Sequence, residues 1–265
     1  MKGKSLLFIA ASGALAVAMM SCGNKQESTE APAAAPAANP AGKPVDAATA
    51  GSVTGMVKLD GTAPKMRNIN MAAEPACAKV HTTPATTEDV VVGDGNTLAN
   101  VVVYLKGDFS AYSFPPSTTP VTIDQKGCQY TPHVLALQTG EPLQVINSDQ
   151  TTHNIHPVPK DNREWNESQP PGAAPINQSF AREEVAIPVK CNVHPWMKSY
   201  IAVLGHPYFA VTGKDGSFAI KNVPPGNYTL VAWQETYGPT EMPVTVAASQ
   251  EQKVNVAVKA AAGSD

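Results

Sequence analysis

The stretch Val185-Ala186-Ile187-Pro188-Val189-Lys190-Cys191-Asn192-Val193-His194-Pro195-Trp196-Met197-Lys198-Ser199-Tyr200-Ile201-Ala202-Val203 reads as a strand, a tight loop and a second strand. Val185 to Val189 and Tyr200 to Val203 have the short apolar pattern of strands, and the Pro195 turn stands between them. The loop carries a thiolate donor, an imidazole and a thioether, Cys191, His194 and Met197, within seven residues. Cu(I) favours sulfur donors and Cu(II) favours imidazole nitrogen, so a site that holds both oxidation states wants this mixture. Two His and one Cys in a trigonal plane, with a weak axial Met, would complete such a site, so one further His is needed. The segment from Asn147 to His156 follows an apolar strand and offers His153 and His156. Their odd spacing on a strand aims them at opposite faces, so only one can reach the metal.

These residues carry a resemblance. From Pro120 to Leu204 the chain resembles the cupredoxins, and among them the amicyanin group, with its Cys-x2-His-Pro-aromatic-Met ligand loop and an upstream His-Asn-Val-His segment. Here Cys191, His194, Pro195, Trp196 and Met197 stand in the one, and His153, Asn154, Ile155 and His156 in the other. The resemblance implies His153, Cys191, His194 and Met197 as ligands of one copper ion per chain. It also implies that Asn154 ties the two ligand loops together. Electrons would pass through the outer edge of His194, expected at the surface beside Pro195 and Trp196, where a redox partner would dock. The sequence departs from the pattern at Val189-Lys190, where an aromatic residue often precedes the Cys, and in the longer, more polar stretch from Lys160 to Pro175. A zinc site with an open position is the rival for Cys and two His. Met197 and the lack of a general base beside the set favour copper and a protein that is not an enzyme.

Strand-like alternation also runs through Val53–Leu59, Asn100–Leu105, Val121–Asp124, Val134–Gln138, Leu143–Ile146, Phe209–Thr212, Phe218–Ile220, Tyr228–Trp233, Val244–Ala247 and Val254–Val258, punctuated by Gly, Pro, Asn and Asp. No stretch sustains a helical face, and an all-β sandwich class follows. Lys214-Asp215-Gly216-Ser217-Phe218 and Val223-Pro224-Pro225-Gly226-Asn227-Tyr228-Thr229-Leu230 resemble the second half of carboxypeptidase regulatory-like, transthyretin-like β-sandwiches. Gly51-Ser52-Val53-Thr54-Gly55-Met56-Val57 resembles their opening strand. The expected fold is therefore a cupredoxin Greek-key β-sandwich, residues 108–206, inserted in or adjacent to a second sandwich built from 51–107 and 207–260, with 261–265 as a tail. Insertion suits domains whose termini lie close together.

Upstream, Lys2 and Lys4 precede a fifteen-residue apolar run from Leu6 to Met20, the layout of a secretory signal and short for a bilayer span. Ser21-Cys22 after it resembles a bacterial lipoprotein signal, which implies residues 1–22 as signal and lipidated Cys22. The expected place is outside the cytoplasm, periplasm or cell surface, anchored to a membrane. Fourteen of the twenty residues from Ala31 to Ala50 are Ala or Pro, so 23–50 reads as a tether. In semi-extended geometry it would reach roughly 85 Å. With Cys22 and Cys191 assigned, Cys77 and Cys128 are left free to pair in an exported chain. The rival for Cys128 is a second metal site with Tyr130 and His133. His81, His133 and His206 read as structural.

A formal net charge of −3 gives no reason to expect nucleic acid as a partner. The expected function is a monomeric, membrane-tethered carrier of single electrons between redox proteins. The alternatives are copper storage or tolerance, and a structural or carbohydrate-binding surface lipoprotein with an ancillary metal site.

Overall fold

A computed structural model describes residues 42–260. The signal-like segment, Cys22, residues 23–41 of the tether reading and the tail 261–265 lie outside the described residues. Among the described residues no helix is long and apolar enough to cross a membrane. Among the described residues the fold is all-β: sixteen strands, a single-turn helix α1 (Pro75–Ala78) and a 3-10 turn at Asp94–Asn96.

The described residues open and close in one sandwich. Strand β1 (Gly51–Asp60) lies between β13 (Ser217–Val223) and β16 (Glu251–Lys259), antiparallel to the first and parallel to the second. The facing sheet runs β12 (Phe209–Val211), β2 (Val102–Lys106), β14 (Gly226–Gln234), β15 (Gly238–Val246). Period-two alternation turns Val53, Val57, Leu59, Val254, Val256 and Val258 inward against Val103, Leu105, Leu230 and Ala232. The approach of β1 to β16 is so close that a Cβ on Gly55 would run into the Val254 carbonyl, which is why glycine stands there.

Between these strands the chain builds a second sandwich. One sheet runs β5 (Val134–Gln138), β11 (Lys198–Leu204), β10 (Glu184–Lys190), β7 (His153–Pro157), β8 (Glu167–Gln169). The other runs β4 (Gln129–Thr131), β3 (Val121–Lys126), β6 (Leu143–Asn147), β9 (Ile176–Gln178). Ile123, Leu143, Val145, Ile155, Ile187, Val189 and Ile201 fill its core. The β10–β11 register slips between Glu184 and Ile187, with Ala186 at φ +70°. Beyond this bulge Ile187, Val189 and Cys191 all turn inward while Pro188 and Lys190 face out. Val102, Val134, Ala202 and Leu204 form an apolar seam joining the two sandwiches through β2, β5 and β11.

Two segment readings need correction. Residues 43–50 are not free tether: Lys43 pairs with Tyr112, and Ser249 hydrogen-bonds to Thr49 and Ala48, so the fold begins before β1. Nor does 51–107 belong to one sandwich. Met71 and Cys77 are buried in the second core with Ile69 and Ala85 packed against it, whereas Val90 and Leu98 return to the first.

Candidate metal centre

Strands β10 and β11 pair as far as Lys190 and Lys198, and the seven residues between them close the ligand loop. Cys191 N–H donates to the Met197 carbonyl at 3.2 Å and Met197 N–H to the His194 carbonyl at 2.9 Å, which stitches the loop shut. The His194 amide points at Cys191 Sγ, 3.4 Å away, and helps hold a thiolate there. Met197 is 1% exposed and lies in the same core as Cys191.

The remaining donor comes from β7, which pairs with β10 through His156 and Lys190 and so starts beside the loop. His153 Nδ1 lies 2.9 Å from His194 Nδ1, and His194 Nδ1 lies 3.7 Å from Cys191 Sγ. Metal–nitrogen and metal–sulfur bonds of about 2.0–2.3 Å put two donors on one ion at most about 4.5 Å apart, so these separations fit a single centre. The donors are one soft sulfur and two imidazole nitrogens, the set that copper accepts in both oxidation states.

Outer contacts fix the ligands. His153 Nε2 donates to Asp149 Oδ2 at 2.9 Å, leaving the Nδ1 lone pair for a metal. Asp149 in turn accepts the amides of Gly127 and Cys128, both at 2.7 Å. Asn154 Oδ1 accepts the Asn192 amide at 2.6 Å and faces Cys191 Sγ at 3.4 Å, joining β7 to the ligand loop. His156 meets Asn192 and Glu164 instead of the donor cluster, as odd spacing on a strand requires.

Burial works against the Cys191 thiolate, yet hydrogen bonds from His153 and nearby backbone leave the thiol below its ordinary value. Burial also opposes a charged His153, but Asp149 and Cys191 outweigh it and hold the imidazole above the usual range. Burial and then the neighbouring His153 depress His194. Both shifts favour the charged forms, a Cys191 thiolate and a His153 imidazolium, relative to the free side chains, and a metal ion binding there would compete with a proton on His153.

One expectation fails. The outer edge of His194 is not at the surface: the residue is 0% exposed, and its Nε2 faces Cys77 Sγ at 3.6 Å. Cys77 is bonded to Cys128, both buried, and this disulfide lies over the imidazole edge. Pro195 is exposed, but Trp196 is half-buried and donates its indole N–H to the Cys128 carbonyl at 3.0 Å. The alternative set of Cys128, Tyr130 and His133 is not assembled. Tyr130 donates to the Asn154 carbonyl, and His133 sits 3.2 Å from Glu235 and 3.9 Å from Glu88. His81 meets the Gly127 carbonyl at 2.7 Å, and His206 is buried under Phe109. Sequence reasoning missed Asp149 as the support of His153, although a carboxylate four residues before a candidate ligand was a usable signal.

Residues 199–259 match the carboxypeptidase regulatory-like domain family. The match begins inside β11, a strand of the second sandwich, and runs to the end of β16. Among solved structures, a Cu-containing nitrite reductase from Thermus scotoductus SA-01 is similar at 19% identity and TM-score 0.30, over 37% of this chain and 24% of its own. This chain therefore spans about a quarter of that protein's length. A mutant of amicyanin in its Cu(I) form is similar at 20% identity and TM-score 0.28, over 32% of this chain and 81% of its own. A purple cupredoxin from Nitrosopumilus maritimus is similar at 20% identity and TM-score 0.27, over 31% and 97%. No curated protein matches the chain.

Proposed function

We propose that this chain is an exported, membrane-anchored type 1 copper protein that carries single electrons between redox proteins. The observation that carries the reading is the convergence of His153, His194 and Cys191 in one buried cluster, with one ligand atom of each within 4.8 Å of the others. Met197, closing the same loop, would supply the weak axial ligand. Copper bound there would supply a reversible one-electron couple. The protein's part is to hold the donors in place whichever oxidation state is bound. It does so with the Asp149–His153 bond, the Asn154 clasp and the shut ligand loop. Lipidation at Cys22 would tether the fold to a membrane, and the sandwich of β1, β2 and β12–β16 would be a regulatory-like domain interrupted by the copper domain.

A second reading, copper storage without electron exchange, is favoured by the burial of the His194 edge. Both are tested by loading the full chain with Cu(II) and recording the visible spectrum, alongside Cys191→Ser. An intense thiolate-to-copper band that bleaches with reductant and is absent from the variant supports a type 1 centre. Fast, reversible electron exchange with an external oxidant then selects the carrier over the store. A colourless protein overturns the type 1 carrier, and a chain that binds no copper overturns both.

A further inference from the structure

The disulfide over His194 belongs to a surface strap, residues 72–80, most of whose side chains are exposed. Cys77 turns inward with 0% exposure, while Ala76 and Ala78 on either side face solvent. The strap is pinned at its ends: Met71 is buried in the second core, and His81 bonds the Gly127 carbonyl. Between these pins, the hydrogen bonds of residues 72–80 stay within residues 70–80, among the described residues, except for Cys77 Sγ against His194 Nε2. Turn α1 has no side-chain cap at Glu74. What holds the middle of the strap down is therefore the bond from Cys77 to Cys128. Cys128 is itself fixed, because its amide donates to Asp149 and its carbonyl accepts from Trp196.

We propose that the Cys77–Cys128 disulfide is a redox-operated lock on the electron port of the metal centre, opened by a dithiol reductant. With the bond intact, the strap seals the His194 imidazole from solvent and from partner proteins. A dithiol that reaches the sulfurs as the uncapped turn frays transfers two electrons and two protons. The S–S bond breaks, Cys77 and Cys128 become thiols, and the reductant closes its own disulfide. The strap then loses its central tie, local opening becomes easy, and the His194 edge is uncovered. The inference deepens the electron-carrier reading and rests on it for its biological meaning, but the lock itself can be read without copper.

The test is acylation of histidine by diethyl pyrocarbonate in the full, metal-free chain, with each site followed by peptide mass spectrometry. His153, 0% exposed and bonded to Asp149, is the internal control. In the disulfide-bonded chain His194 should be unreactive. In C77S/C128S it should react at least about tenfold faster, while His153 stays protected. A phosphine-reduced native chain should behave like the variant, and serves in its place if the variant does not fold. Protection of His194 in both redox states overturns the lock, as does reactivity in both. So does a rise at His153 in step with His194 in the reduced native chain, which makes the bond a staple of the whole fold. If the chain takes up no copper, the carrier reading fails while the acylation pattern still decides the lock. If copper binds, oxidation of the Cu(I) form by ferricyanide should accelerate when the bond is removed.

Discussion

The two sandwiches bury different things. The core around β1, β2, β14 and β16 is mainly aliphatic, with Tyr208 and Phe218 among its buried members, and β16 alternates cleanly between core and solvent. The core around β7, β10 and β11 also encloses Gln125, His153, Asn154, Gln169, His194 and Ser199. Buried polar groups are costly unless bonded, and most of these are: Gln125 to Gln169, Asn154 to Asn166 and the Asn192 amide, His153 to Asp149. The first sandwich is thus a scaffold stabilised mainly by apolar burial, with Thr97, Thr212 and Gln234 also buried in it, while the second buries its polar groups around the donor cluster and ties them by hydrogen bonds. The apolar seam through Val102, Val134, Ala202 and Leu204 lets one support the other.

This contrast is broken first by core truncation. Leu230, fully buried in β14, should cost about 2–5 kcal/mol when changed to Ala, read as a shift in the denaturant midpoint. The visible band of the copper-loaded protein should not move. Ile155→Ala, between His153 and His156 in β7, should cost a similar about 2–5 kcal/mol and also displace the band. A band that moves equally in both variants would show that the two cores are not mechanically separate.

A smaller effect is expected at Asp149. Changing it to Asn keeps the shape but weakens the acceptor that fixes the His153 tautomer and the Gly127 and Cys128 amides. Support of this kind to a ligating histidine is worth about 10–100-fold in metal affinity, measurable by chelator competition. Unchanged affinity would mean that the ligand loop alone positions His153.

The division of labour was partly legible beforehand. The strands with full period-two patterns, the ligand loop and the turn at Asp215-Gly216, where Gly216 adopts φ +69°, all stand where local chemistry puts them. Strands β4, β8 and β9 were missed because three residues are too few to show a period, and only the end of β15, Val244–Val246, was read because Pro239 and Pro243 disguise the rest of an edge strand. The shielding of His194 is a different kind of miss. It depends on a bridge between residues 51 apart in sequence, and on a strap whose composition, rich in Ala, is that of an ordinary surface loop. The cluster of Glu88, His133, Lys198 and Glu235 was equally unreadable, since it gathers its members from four segments of the chain.

The smallest effect sharpens the contrast at the rim of the second sandwich, where one carboxylate gathers the start of the long polar stretch after β7. Glu184 accepts the amides of Lys160, Asp161 and Asn162 at 2.6, 3.0 and 3.2 Å, and the Asn162 side chain as well. Partial burial pushes its pKa up, but these donors outweigh burial and leave it below the usual glutamate value. A depressed carboxylate contributes stability that is present above its unfolded pKa, about 4.3, and is lost as pH falls through the lower folded value. Because Glu184 is only partly buried, Glu184→Gln should cost no more than about 1 kcal/mol at pH 7. The gap between wild type and variant should close only below pH of about 4. Hydrogen exchange should quicken at residues 160–162 and stay unchanged in β1 and β16. If it quickens in those strands too, the stretch after β7 is tied into the stability of the scaffold, and the two sandwiches unfold as one unit.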